Sequence, residues 1–341
     1  METQHIGAKS TGSKRTRQVK KTHYSFVDVL TGSDLSRRRL ALMKARGKKD
    51  GPVVWLTGAI HGDEVGGIVI IQEIFKELKR SPLIQGSLYA MPLMNPIGFE
   101  SSVRGLPMSE EDLNRSFPGD RTGSLAERIA HQIFTTIIKT NPTLVLDLHN
   151  DWSASIPYTL IDPYPGILRR GAYEKVKQYS EYIGFPIINE QESGTENNDL
   201  HKTLSGSLLQ RNIPSFTLEI GGAYVVNEHH VRTGTTALWN LLTQLGMVEP
   251  KPHIVTEGPQ VIASKAKILK YSHEPRANAS GIIRFMVEPG DLVKKDQPVA
   301  RIYNVFGKLQ STLTATRDSL VLGHTDSSVA FPGAEVLAFG V

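Results

Sequence analysis

The chain of 341 residues, 39% of them hydrophobic, is long enough to bury two cores rather than one. It contains no cysteine, which excludes disulfides and thiolate metal ligands, so any metal must rest on histidines and carboxylates. The net charge of +5 does not point to nucleic acid, because residues 1–50 hold 13 Lys+Arg against 4 Asp+Glu and the remaining body is mildly acidic.

Residues 1–21 read as a basic flexible arm without the apolar centre of a secretory signal, and no run is long and apolar enough to span a bilayer. A cytoplasmic protein that binds neither membrane nor nucleic acid is expected, and self-association into a homo-oligomer stays open. "HYSFVDVL" and "RRLALMKARG" read as strands, followed by the buried strand "PVVWLTGAI" and a helix over 64–80 with apolar spacing at Ile71, Ile74, Phe75 and Leu78. "SLYAMPLMN" is a further strand. Ser124 and Glu127 form a capping-box pattern that opens the helix "LAERIAHQIFTTIIK". The strands "TLVLDLHN" and "IPYTLID", a helix over 165–182, the strand "PSFTLEI" and a helix over 228–245 complete the alternation. This pattern predicts a mostly parallel sheet, helices on both faces, in a domain over 22–250. From 251 to 341 short apolar runs broken by Pro-Gly and Gly predict an all-β module.

The stretch "GAIHGDEVGG" places His61 at the end of a buried strand and Glu64 at the start of a helix, both at the sheet edge where ligands bind in open α/β folds. The glycines let the chain turn sharply, so the two side chains converge. His149, in "LVLDLHN", closes another strand. Two imidazoles and a carboxylate are the ligand set of a catalytic zinc, which keeps one position open for water. Glu219, in "FTLEIGG", ends a third strand and is placed either to move a proton at such a site or to pair with a surface cation. Asp147, two residues before His149, shares its strand face and either accepts the outer N–H of a ligand imidazole or anchors a loop. In the loop 102–120, Arg104, Asn114 and Arg115 offer a guanidinium fork for a carboxylate and a cation for an oxyanion; an arginine in a loop also serves as plain surface charge.

The ordered motifs "HGDE", "DLNRSFPG", "DLHN" and "LEIGG" resemble the succinylglutamate desuccinylase and aspartoacylase family of the zinc carboxypeptidase superfamily, over roughly residues 50–245. That resemblance implies a zinc-carboxypeptidase-like fold, one Zn²⁺ held by His61, Glu64 and His149, and Glu219 as the general acid/base. It also implies Arg104 on the scissile carbonyl and Asn114 with Arg115 on a substrate carboxylate, although an insertion separates Arg104 from that pair. "GIIRFMVEPGDLVKKDQPVARIY" resembles a biotinyl- or lipoyl-like barrel-sandwich module; it lacks a Met-Lys-Met turn for attaching a cofactor, which favours a structural or substrate-limiting cap. The expected activity is zinc-dependent hydrolysis of the amide in a small anionic N-acyl amino acid or related carboxylate-bearing compound. A metallocarboxypeptidase acting on short peptides is the nearest alternative, because both substrates place an amide one carbon from a carboxylate. A non-catalytic binding protein on the same fold is a further one. His229 and His230 are expected to take lining or surface positions, and Tyr224 either contacts substrate or is a core or rim tyrosine, the latter being favoured.

Overall fold

The computed structural model describes residues 22–32, 35–164, 166–190, 199–251 and 268–341. The expected arm over 1–21, the first residue of the expected 165–182 helix, and the segment 252–267 next to the expected boundary lie outside the described residues. In chain order the first unit runs β1 (Thr22–Thr31), β2 (Arg37–Arg46), β3 (Lys49–Gly58), α1 (Gly66–Glu77), β4 (Gln85–Met91), α2 (Pro96–Ser101) and α3 (Leu125–Ile138). It continues through β5 (Leu144–Asp151), β6 (Ala154–Ser155), β7 (Tyr158–Ile161), α4 (Arg170–Ile183), β8 (Ile187–Asn189), α5 (Leu204–Gln210), β9 (Ser215–Gly222) and α6 (Glu228–Gln244).

The sheet of this unit has the order β1-β2-β4-β3-β5-β9-β7-β8. Its centre, β4-β3-β5-β9, is parallel, whereas β1-β2, β2-β4 and β9-β7 pair antiparallel, so the sheet is mixed. The reversal at β7 has a simple cause. A parallel return needs a crossover of about a dozen residues or more, and the connection 152–157 is too short to supply one.

Alternation along the strands separates two cores. Val54, Leu56, Leu144, Leu146 and Leu148 face α1, α4 and α6. Trp55 and Val145 face the other way, toward α3 and α5. The predicted capping box is present at the start of α3, with Ser124 accepting from Glu127 N and Glu127 accepting from Ser124 N at 2.8 Å. Helix α1 begins at Gly66 rather than Glu64, which leaves Glu64 on the turn after β3. The helices α2 and α5 were not expected.

The C-terminal module is all-β: β10 (Leu269–Ser272), β11 (Gly281–Phe285), β12 (Leu292–Val293), β13 (Pro298–Tyr303), β14 (Leu309–Thr314), β15 (Ser319–His324), β16 (Val329–Ala330) and β17 (Leu337–Gly340). Strands β14-β13-β11-β16 form one small sheet, and β10-β17-β15-β12 extend the large one beyond β8. The module has its own core, with Val299, Ile302, Leu313, Val321, Leu337 and Phe339 among its buried members. It is also tied to the first unit. β10 pairs parallel with β8, β15 pairs with β6, and Ile156, Tyr158 and Ile188 pack against Leu320, Leu322 and Ala338. No helix among the described residues is long and apolar enough to cross a membrane.

Candidate active site

The register of the sheet determines which side chains share a face. Thr57 lies opposite Asp147, Asp147 opposite Thr217, His149 opposite Glu219, and Glu219 opposite Tyr158. Side chains alternate with a period of two, so Asp147, His149, Thr217 and Glu219 all project to the face that carries the α3 and α5 core. His61 and Glu64 reach the same place from the turn after β3. That turn is forced into contact with its neighbours: a side chain on Gly62 would meet the backbone of Gly98 and Phe99 in α2.

His61 Nδ1 lies 2.6 Å from Glu64 Oε1, and His149 Nδ1 lies 3.0 Å from Glu64 Oε2. One ligand atom from each of His61, Glu64 and His149 lies within 4.8 Å of the others, and all three residues are buried. The two outer ring nitrogens are also engaged by carboxylates. His149 Nε2 is 2.9 Å from Asp147 Oδ2, and His61 Nε2 is 3.3 Å from Asp112 Oδ1. Asp147 is itself held by Thr57 Oγ1, which donates to Oδ1 at 2.7 Å. Carboxylates behind the imidazoles, with Nδ1 of each ring facing inward, form the arrangement that orients ligand histidines and raises their basicity. The donor set therefore fits a divalent ion such as zinc.

The electrostatics agree. Burial alone would raise the Glu64 carboxyl, but the His61 and His149 rings outweigh it and hold the group below the usual carboxylate range. Burial likewise opposes charge on His149, and the carboxylates of Asp147 and Glu64 overcome it, so this pocket of carboxylates favours a cation. A proton and a metal ion compete for the same Nδ1 position.

Glu219 stands apart from this network. Its Oε2 is buried without a hydrogen-bond partner. Burial pushes its carboxyl well up, Asp151, Glu64 and Glu190 add to the rise, and His149 opposes it. A cavity of about 150 Å³ joins the metal-ligand cluster to Glu219, Arg104, Asn114 and Arg115. A groove of about 190 Å³ lies elsewhere, lined by Val29, Leu40, Ile97 and their neighbours, and lacks any such donor set.

Arg104 sits half-exposed at the cavity wall. Its Nη1 is 3.6 Å from Glu64 Oε1, and Nε and Nη2 donate to Asp112 Oδ2 at 3.3 and 3.1 Å. The nine residues between Arg104 and Asn114 therefore do not carry Arg104 away from the site. Asn114 accepts from Leu204 N at 2.9 Å, pinning the start of α5 against the cavity, and Arg115 donates to Asn114 O at 2.9 Å while forming no ion pair among the described residues. All of the site residues expected from the sequence are thus brought together, with Asp147 behind the wall and the others on it. His229 and His230 do not line the cavity. They begin α6, capped by Asn227. Tyr224 is exposed and does not line the cavity, and its backbone N–H donates to Asp63 O at 2.9 Å.

Three further residues, absent from the sequence expectations, shape the site. Asp112 links His61, Arg104 and the backbone N–H of Asn114, to which it is bonded at 2.8 Å. Asn150 accepts from Gly66 N at 2.9 Å, donates to Ile220 O at 2.8 Å, and its backbone N–H donates to Glu64 Oε2 at 3.0 Å, so it locks the turn after β3 to β5 and β9. Asn95 caps α2 by accepting from Gly98 N and fastens the Arg104 loop by donating to Gly105 O. Asp112 and Asn150 lie inside the "DLN" and "DLHN" motifs, where their position was the available signal.

The model of the succinylglutamate desuccinylase/aspartoacylase catalytic domain matches residues 50–245. The chain is 29% identical over 262 residues to an N-alpha-acetyl-L-2,4-diaminobutyric acid deacetylase from Halomonas elongata, covering 75% of this chain and 72% of that protein. Among solved structures it is similar to the product-bound ectoine utilization protein EutE (DoeB) from Ruegeria pomeroyi, with 20% identity, a TM-score of 0.75, and 94% and 95% of the two chains covered. It is also similar to a metallo-carboxypeptidase from Burkholderia cenocepacia, at 14% identity and a TM-score of 0.51, over 67% of this chain and 65% of that one.

Proposed function

Because the chain belongs to the succinylglutamate desuccinylase/aspartoacylase family, we propose that it is a zinc-dependent deacylase that hydrolyses the amide of a small N-acyl amino acid. The observation that carries this reading is the shared cavity, in which the His61, Glu64 and His149 cluster faces an unpartnered, buried Glu219 and the guanidinium of Arg115. Zinc held by those three residues would polarise an amide carbonyl and acidify water. The remaining work falls to the protein's own groups. Glu219 accepts a proton from the attacking water and passes it to the leaving nitrogen. Its surroundings disfavour charge, and a cation held by the cluster would favour the ionised form that acts as base. Arg104 meets the oxyanion that develops on the scissile carbonyl. Asn114 and Arg115 hold the substrate carboxylate, with Arg115 offering the fork and no competing ion pair among the described residues.

The relative from Halomonas elongata is named for removing an acetyl group, and a short acyl group suits a cavity of about 150 Å³. We read the C-terminal strands as a biotinyl/lipoyl-like barrel sandwich acting as a cap. In support, Asp326 of the module accepts from Ser153 N at 3.0 Å, and His273, just after β10, and Tyr271, within it, lie beside Trp152 and Tyr158 respectively. Such a cap limits access and favours small acyl amino acids over peptides in a cytoplasmic enzyme. Turnover of acetyl, succinyl and formyl amino acids against short peptides tests the reading. The metal-loaded protein is expected to prefer an acyl amino acid by roughly tenfold or more in kcat/KM; preference for a peptide would transfer the site to the carboxypeptidase alternative.

A further inference from the structure

The segment 152–158, which leads from β5 to β7, is held along its length by the C-terminal module. Ser153 N donates to the Asp326 carboxylate at 3.0 and 3.1 Å, Ala154 and Ser155 pair with His324 and Gly323 of β15, and Ile156 N donates to Leu322 O at 2.9 Å. Aromatic rings continue the clamp. The Trp152 and His273 centroids lie 6.1 Å apart, those of His273 and Tyr271 4.9 Å, and those of Tyr271 and Tyr158 6.5 Å. His273 is fixed in turn, with Nε2 3.3 Å from Glu335 Oε2 and Nδ1 3.2 Å from Leu337 O.

Both ends of this segment reach the candidate site. Asp151 precedes it on β5, two residues beyond His149 on the same strand face, and lines the cavity. Tyr158 closes it, buried and directly opposite Glu219 in the antiparallel register of β7 and β9. Residues so paired have Cβ atoms about 5 Å apart on one face of the sheet. Tyr158 O–H donates to Asp151 Oδ2 at 2.8 Å. That uses its one proton and leaves its oxygen as an acceptor toward the Tyr271 hydroxyl, which lies within reach. Burial pushes both phenols well up, and the charges of Asp151 and Glu219 add to the rise, so both hydroxyls keep their protons. Glu219, by contrast, has Oε2 buried without a hydrogen-bond partner. Its place is set by what packs around it, and Tyr158 is its paired neighbour.

We propose that Tyr271 of the C-terminal module is a positioning residue that seats Tyr158, and with it Asp151, against Glu219, so that the module sets the geometry of the acid/base carboxylate as well as limiting access. This rests on the deacylase reading for the role of Glu219, while the seating itself is measurable without turnover. A cap alone acts on entry, and so on KM and on the choice of acyl group. A positioning contact acts on the bound substrate, and so on kcat.

Tyr271→Phe keeps the ring and removes only the hydroxyl. In the full, zinc-loaded chain it is expected to lower kcat about fivefold, the worth of one buried hydrogen bond, with KM within about threefold and the order of preference among acyl groups unchanged. Hydrogen exchange of the same variant without substrate is expected to quicken at 151–158 and 219–222 and to stay unchanged in β3. Phe306→Ser, at an exposed turn of the same module, is expected to alter neither readout. Full kcat in Tyr271→Phe, or a loss confined to KM, would overturn the proposal. So would unaltered exchange at 219–222, or an equal rise in β3, which marks a general loss of stability. If the unaltered chain cleaves no acyl amino acid, the deacylase reading falls and the exchange pattern alone decides the seating.

Discussion

At the scale of single residues, the site combines ionised groups held by partners with carboxyls that burial drives toward neutrality. Asp162 is the clearest of the second kind, raised from 3.8 to about 7 by burial and by Glu190. The sign of its effect on stability follows from linkage. A carboxyl with a higher value in the folded state than in the unfolded chain retains its proton on folding, so its contribution becomes less favourable as pH rises from about 4 to about 7 and is fully adverse above that. The total is at most about 4 kcal/mol. Asp162→Asn removes the penalty, so its melting temperature relative to the unaltered protein is expected to rise between pH 5 and pH 8. A difference that stays constant over that range would contradict the assignment. His61, Glu64, His149 and Glu219 were legible as a group because each is a polar residue at or just beyond the end of an apolar strand run, within two residues of a glycine or another polar residue, where a core position would be apolar. Asp112 was marked only by its place in the "DLN" motif, since the His61 it meets lies 51 residues away, and nothing local marked Glu190 as a cavity residue.

At the scale of elements, position depends on close backbone contact as well as on pattern. The turn carrying His61 and Glu64 fits against α2 only because residue 62 lacks a side chain. Gly62→Ala is expected to cost about 2–4 kcal/mol in denaturant unfolding and to weaken metal retention. Gly171→Ala, on α4 with no atom within 4 Å of the added carbon, serves as comparison and is expected to be neutral or stabilising by up to about 1 kcal/mol. Similar losses in the two variants would contradict the packing account. The long strands and helices could be read from period alone, as could the Ser124 cap. Helices α2 and α5, six and seven residues with Pro, Gly and Ser, are too short to show a helical period, and they are set by Asn95, Thr203 and Asn114 through hydrogen bonds that depend on the fold.

At the scale of the molecule, the C-terminal β module is joined to the hydrolase sheet rather than suspended from it. The change to Gly-punctuated strands announced the module, but the sequence could not show β10 completing the edge of β8 or β15 pairing with β6, because strand partners distant in sequence leave no local trace. The shared core of Ile156, Tyr158, Ile188, Leu320, Leu322 and Ala338 predicts that the two parts unfold together, giving one calorimetric transition. Two well-separated transitions would show the junction to be weak. The most direct test of the whole account is the metal content of purified protein, measured alongside amide hydrolysis for the unaltered chain and for Glu219→Gln. One zinc per chain is predicted in both, with turnover lowered about 10²–10⁴-fold in the variant and with activity of the unaltered chain lost on chelation and restored by zinc. Hydrolysis by the metal-free protein, or a Glu219→Gln variant that keeps full turnover, would contradict it.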